Sequence, residues 1–153
     1  MVDDRTDLSR GANDDVIATD FRRRGETLTR IVNIYDPKDT QSGGRPVQKL
    51  NWQRVIQQGG TVLAGDFNGH STTWDRRCQV QLNATFWEDV IDENGLEIGN
   101  DWRAAHHWTT EGHECESVID LMLANGPNTM WSILADDHAM GSDHDVIECE
   151  VEV

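Results

Sequence analysis

The stretch Thr61–Asp75, TVLAGDFNGHSTTWD, decides how this chain is read. Its opening, Thr61-Val62-Leu63-Ala64, is short and uniformly apolar, the pattern of a central strand buried on both faces. It discharges directly into Gly65-Asp66-Phe67-Asn68-Gly69-His70, a turn that carries an acid, an amide and an imidazole. Loops held by a rigid strand are where binding and catalytic groups concentrate. Asp66 and Asn68 are therefore the first candidate site residues.

Toward the N-terminus, residues 14–21 (DDVIATDF) alternate as a strand. Arg22-Arg23-Arg24-Gly25-Glu26 makes a charged turn, and residues 27–35 (TLTRIVNIY), β-branched and aromatic, make the partner strand of a hairpin. Asp36-Pro37 stops it. Pro46 suits the first turn of a helix that carries Val47, Leu50, Trp52, Val55 and Ile56 and ends at Gly59-Gly60. Toward the C-terminus, Asn83 or Thr85 caps a second helix. There Phe86 with Val90 and Trp87 with Ile91 share a face, and Gly95 closes the helix. Residues 107–110, 117–123, 130–134 and 146–151 read as further strands. Helices interspersed among many strands and hairpins predict an α/β fold, a sandwich of mostly antiparallel β-sheets flanked by helices. The expected organisation is a flexible acidic N-terminus, 1–13, followed by one domain, 14–153; the length of 153 residues fits a single domain.

Composition narrows the function. The formal net charge of −15 excludes a generally basic nucleic-acid binder and a polybasic membrane-surface protein. It is compatible with a protein that reaches phosphate through a divalent metal, because hard cations take carboxylate ligands. No apolar run approaches the ~20 residues that span a bilayer, so no membrane partner is expected. The polar, acidic start is neither a signal nor a transit peptide. The three cysteines, Cys78, Cys115 and Cys149, are widely spaced with no CxxC, which predicts a reducing intracellular compartment, nucleus or cytoplasm.

Two more sites share the placement of Asp66 and Asn68. Asp120 lies inside SVIDLML, and Asp143-His144 precedes the last strand. An Asp flanked by Val118, Ile119, Leu121 and Met122 is desolvated and needs a partner, either a backbone turn or a histidine whose tautomer it fixes. His106, His107, His113 and Cys115 lie close together, but their spacing fits no standard zinc finger. Trp74 either stacks on a base or covers the core, and Arg22, Arg23 and Arg24 are the densest basic cluster available to a phosphate backbone.

LAGDFNGHSTTWD, ESVIDLMLANG and GSDHDVIECEV, in that order and preceded by RIVNIYDP, resemble the motifs of the endonuclease/exonuclease/phosphatase superfamily. The wording is most similar to the apurinic-endonuclease-like domain of non-LTR retrotransposons, over roughly residues 14–151. The resemblance implies metal-dependent hydrolysis of a phosphodiester, with Mg²⁺ or Mn²⁺ as cofactor and DNA as substrate. Carried over by motif, Asp66 orients or deprotonates the attacking water, and Asn68 holds that site and the phosphate. His144 binds a phosphate oxygen, Asp120 orients His144, Asp143 faces the metal and Tyr35 donates to the phosphate. The family's upstream asparagine and metal-binding glutamate have no counterpart here, since Glu26 lies in the hairpin turn. The expectation is thus a family domain without its first strands, either an endonuclease or a catalytically silent remnant that serves as an assembly module. Within the superfamily, a phosphatase of lipids or small molecules is a third alternative. Strands missing from a sandwich leave an edge exposed, with residues 14–21 as that edge, and predict a homodimer.

Overall fold

A computed structural model describes residues 15–21, 29–38, 45–57, 60–79, 83–100, 103–126, 129–133 and 141–151, with 129–133 and 151 described by backbone alone. Expectations that concern residues 1–13, the Arg22–Arg24 cluster and Glu26 lie outside the described residues.

The hairpin is formed by β1 (Val16–Phe21) and β2 (Thr29–Tyr35), paired antiparallel from Val16 opposite Ile34 to Phe21 opposite Thr29. The strand β3 (Thr61–Asp66) joins β2 in parallel and β7 (Asp120–Ala124) antiparallel, so it is central, as its apolar run requires. A two-residue strand, β4 (Glu97–Ile98), completes a five-stranded sheet in the order β1-β2-β3-β7-β4. Two further antiparallel pairs lie outside that sheet: β5 (His106–Thr110) with β6 (His113–Ser117), and β8 (Thr129–Ile133) with β9 (Ile147–Val151). Among the described strands all pairings but β2–β3 are antiparallel, in line with the expected class.

Alternation divides the five-stranded sheet. Val32, Ile34, Leu63, Leu121 and Leu123 point to one face and pack with Trp52, Val55, Trp87, Val90 and Ile91 from α1 (Trp52–Val55) and α2 (Ala84–Asn94). Trp87 is the hub: Trp52, Phe67 and Phe86 meet it edge to face at centroid distances of 5.1, 4.6 and 5.0 Å. Its indole N–H donates to Asp36 (2.8 Å), a fully buried carboxylate that also pairs with Arg45. The opposite face carries Tyr35, Asp66 and Asp120.

Three local expectations need correction. The helix expected from Pro46 is a 3₁₀ turn, Pro46–Lys49, followed by the single turn α1. Leu50 is extended, and the Asn51 side chain accepts from the Arg54 N–H, so the asparagine starts a new turn rather than continuing the old one. The run 117–123 is not one strand: β6 ends at Ser117 and β7 begins at Asp120. Between them the Val118 N–H is taken by the Asp75 carboxylate (3.2 Å) and the Ile119 carbonyl by the Phe67 N–H (2.9 Å). Finally, Asn83 precedes α2 in the left-handed region and makes no side-chain cap, while Gly95 closes the helix as its left-handed C-cap. Among the described residues no helix is long and apolar enough to cross a membrane.

Candidate active site

Tyr35, Asp66 and Asp120 are direct neighbours in register across β2, β3 and β7. Partners in register point to the same face, so these three side chains form a row on the side of the sheet away from the helices. Gly65 makes the row possible: it sits at φ +139°, and a Cβ there would run into the Ile34 carbonyl oxygen. Asn68 follows at φ 45° and folds back on Asp66, with its backbone N–H and Nδ2 donating to the two carboxylate oxygens (2.9 and 2.8 Å). Burial pushes the Asp66 carboxyl up from its ordinary range, against the pull of the Asn68 bonds and of the charges on His144 and Lys38.

The loop after Asp66 is fixed by its own residues. The Ser71 carbonyl accepts from Asp75 (2.8 Å), Trp74 Nε1 donates to the Gly69 carbonyl (3.1 Å), and Asp75 ties the loop to Val118. Trp74 is 1% exposed, so the base-stacking option fails and the core option holds.

His144 lies just before β9, and its Nδ1 sits 2.9 and 3.1 Å from the two oxygens of Asp120. The carboxylate therefore holds the ring with Nδ1 protonated and turns Nε2 outward. Burial, opposed by the bond to His144, pushes Asp120 up to about 6. Asp143 is well exposed, and its carboxylate lies 3.9 Å from His144 Nε2. Asp66, Asn68, Asp120, Asp143 and His144 thus occupy one neighbourhood. Tyr35 stands at its open side, half exposed.

Two residues join this group that the motif reading did not place there. Lys38 is exposed just beyond Asp36-Pro37, and its charge acts on Asp66, His70 and His106. A lone lysine in a polar loop carries no sequence signal. His106 is 7% exposed, its Nδ1 bonds Ser117 Oγ (3.0 Å), and its ring lies 4.6 Å from that of His144. Burial lowers its pKa to about 4, so it is a neutral imidazole at pH 7. The zinc grouping weighed from sequence does not form. His107 turns to Asp145 (3.1 Å), and His113 sits at the far end of the hairpin opposite Thr110.

Among the described residues, the ligand atoms that gather within 4.8 Å of one another belong to His106, Asp143 and His144. One carboxylate with two imidazoles suits Mn²⁺ and its neighbours in the transition series better than Mg²⁺, which prefers an all-oxygen shell.

The comparisons with known proteins agree with this architecture. Among solved structures, the chain is similar to the endonuclease domain of TRAS1, a telomere-specific non-LTR retrotransposon, with a TM-score of 0.70 at 16% identity over 91% of this chain. It is also similar to an endonuclease/exonuclease/phosphatase family protein from Leptotrichia buccalis C-1013-b, with a TM-score of 0.56 at 16% identity over 90% of this chain. The chain spans 64% and 54% of the lengths of those two structures. At such identity the likeness shows the fold. No curated protein sequence matches. The model of the endonuclease-reverse transcriptase family matches residues 29–148, from β2 through the Asp120–His144 pair into β9, and the chain belongs to that family.

Proposed function

We propose that this chain is a divalent-metal-dependent phosphodiester hydrolase, a DNA endonuclease domain of the retroelement type that works inside the cell. The observation that carries this reading is the Asp120 carboxylate holding His144 Nδ1, in register beside Asp66. His144 Nε2 then faces outward, where as an imidazolium it would donate to a phosphate oxygen and stabilise the charge that develops in the transition state. Asp66, held by Asn68 and made more basic by burial, would orient the attacking water and take its proton. The Tyr35 hydroxyl would donate to the phosphate from the same row, and Lys38 supplies a cation beside the site. Asp143 would hold a divalent cation, Mg²⁺ or Mn²⁺, whose chemistry when bound is Lewis-acid polarisation of a phosphate oxygen. An intracellular setting accords with the wide spacing of Cys78, Cys115 and Cys149 and the lack of a CxxC motif.

The net charge of −15 favours a second reading, a silent domain that serves assembly, because it opposes approach to a polyanion. The assembly we propose is a two-fold dimer through β1. Among the described residues this strand is the outer one of its sheet, and Ile17 and Phe21 are 56% and 48% exposed on it.

Supercoiled plasmid separates the two functions. The endonuclease reading expects nicking in Mn²⁺ that stops in EDTA; nicking that persists in EDTA contradicts the metal dependence, and intact plasmid under every metal leaves the assembly reading.

A further inference from the structure

The segments that carry His106 and His144 are paired as a fragment of antiparallel ladder. The His107 N–H donates to the Asp143 carbonyl (2.7 Å) and the Asp145 N–H to the Ala105 carbonyl (2.6 Å). These two bonds flank the bridge between His106 and His144 and make them a non-hydrogen-bonded pair, the pairing in which opposed side chains stand closest. Two imidazoles therefore face each other across a fixed backbone, with ring centroids 4.6 Å apart.

Each ring has its Nδ1 engaged elsewhere. Ser117 Oγ takes that of His106 at 3.0 Å, and the Asp120 carboxylate takes that of His144 at 2.9 Å. Both Nε2 atoms are left for a common ligand, and the Asp143 carboxylate lies 3.8 Å from one and 3.9 Å from the other. A metal-binding histidine has this arrangement: one nitrogen for the ion and the other held by a carboxylate or hydroxyl that sets its tautomer and direction. Stacking of His106 on Trp108, at 4.8 Å and 23°, further restricts the ring. Closing the three donor atoms onto an ion at ~2.0–2.2 Å takes movement on the order of 1 Å. Asp143, with 63% of its side chain exposed, has the freedom to supply it.

We propose that His106 Nε2, His144 Nε2 and Asp143 form a tridentate Zn²⁺ site that links the β5–β6 hairpin to the segment before β9 and leaves the fourth position to water. Two nitrogens and one carboxylate are a zinc donor set, and for such donors affinity rises from Mn²⁺ to Zn²⁺. Mg²⁺ keeps its waters and competes poorly for imidazole. The site stands whether or not the chain cuts DNA. A consequence that does rest on the hydrolase reading is inhibition: zinc occupies the Nε2 that a phosphate would use.

The test is calorimetric titration of metal-stripped, untagged protein with Zn²⁺, Mn²⁺ and Mg²⁺ separately, followed by Co²⁺ loading read by visible absorption. Expected are one Zn²⁺ per chain, bound tighter than Mn²⁺ and far tighter than Mg²⁺, and the strong d–d bands of a four-coordinate cobalt site. His106→Gln and Asp143→Asn should each weaken Zn²⁺ by on the order of 10²-fold, and Asp120→Asn by roughly 10–100-fold through loss of the hold on His144. His113→Ala should leave it unchanged. Asp143 is exposed, so Asp143→Asn carries the test if the buried His106→Gln does not fold, as judged by circular dichroism. Zn²⁺ that binds no better than Mg²⁺, that is indifferent to Asp143→Asn, or that is lost with His113→Ala overturns the site. Zinc binding without inhibition of nicking leaves the site intact and contradicts only its link to hydrolysis.

Discussion

Asp120 is asked to do two opposed things. It is buried, which favours its protonated form, and it holds a histidine, which needs the ionised one. With a pKa near 6 it is ionised at neutral pH and loses its charge as the pH falls through 6. Nicking should therefore decline on the acid side of pH 6, because a neutral carboxyl no longer orients and stabilises an imidazolium. In Asp120→Asn that acid limb should flatten, at a rate lower by on the order of 10²-fold or more. A wild-type profile level from pH 7 to 5 would contradict the role. The same shift affects folding with its own sign. The folded pKa lies above the unfolded value of ~3.9, so the stabilisation is complete below pH 4 and is lost as the pH rises through 6. Urea midpoints of metal-stripped wild type and Asp120→Asn, compared across that window, would report it.

At the scale of elements, β2 and β3 must end together for Tyr35 and Asp66 to share a row, and buried polar groups hold those ends. The Asp36 N–H donates to the Asp66 carbonyl (2.8 Å), while the Asp36 side chain is satisfied by Arg45 and Trp87. Asp36→Ala strands the buried Arg45 guanidinium, so it should cost roughly 3–5 kcal/mol in denaturant unfolding. A loss under about 1 kcal/mol would show that the network does not pin the strand. None of this is visible in Asp36-Pro37 read as a stop, because the partners lie 9 and 51 residues away in sequence. What is legible is what local pattern determines. The apolar run 61–64 marks the central strand, the alternation of 27–35 marks its neighbour, and Asp120 among aliphatics marks a desolvated acid. The strands β4 and β6 are missed for the converse reason: Glu97–Ile98 and His113–Ser117 lack an apolar alternation and owe their pairing to β7 and β5. Sequence proximity places His106 beside His107, His113 and Cys115, a spacing that fits no standard zinc finger, whereas the cross-strand bridge pairs it with His144.

Over the whole molecule, charge and the outer strand make competing demands. Fifteen net negative charges oppose both DNA and a second copy of the chain. On the outer hairpin, Ile17, Phe21, Ile31 and Tyr35 leave an apolar patch on the face that carries the site. The dimer through β1 should tighten as salt screens the repulsion, and Ile17→Lys with Phe21→Glu should abolish it. Light scattering that reports only monomer from low to high salt contradicts the dimer. For hydrolysis, the charge sets the baseline low and makes the site responsible for whatever cutting occurs. His144 is the residue on which the proposed hydrolysis turns. In single-turnover nicking of supercoiled plasmid with Mn²⁺, His144→Ala, folded by circular dichroism, should be slower than wild type by on the order of 10²-fold or more. Equal rates for the two proteins would show that His144 does not stabilise the transition state.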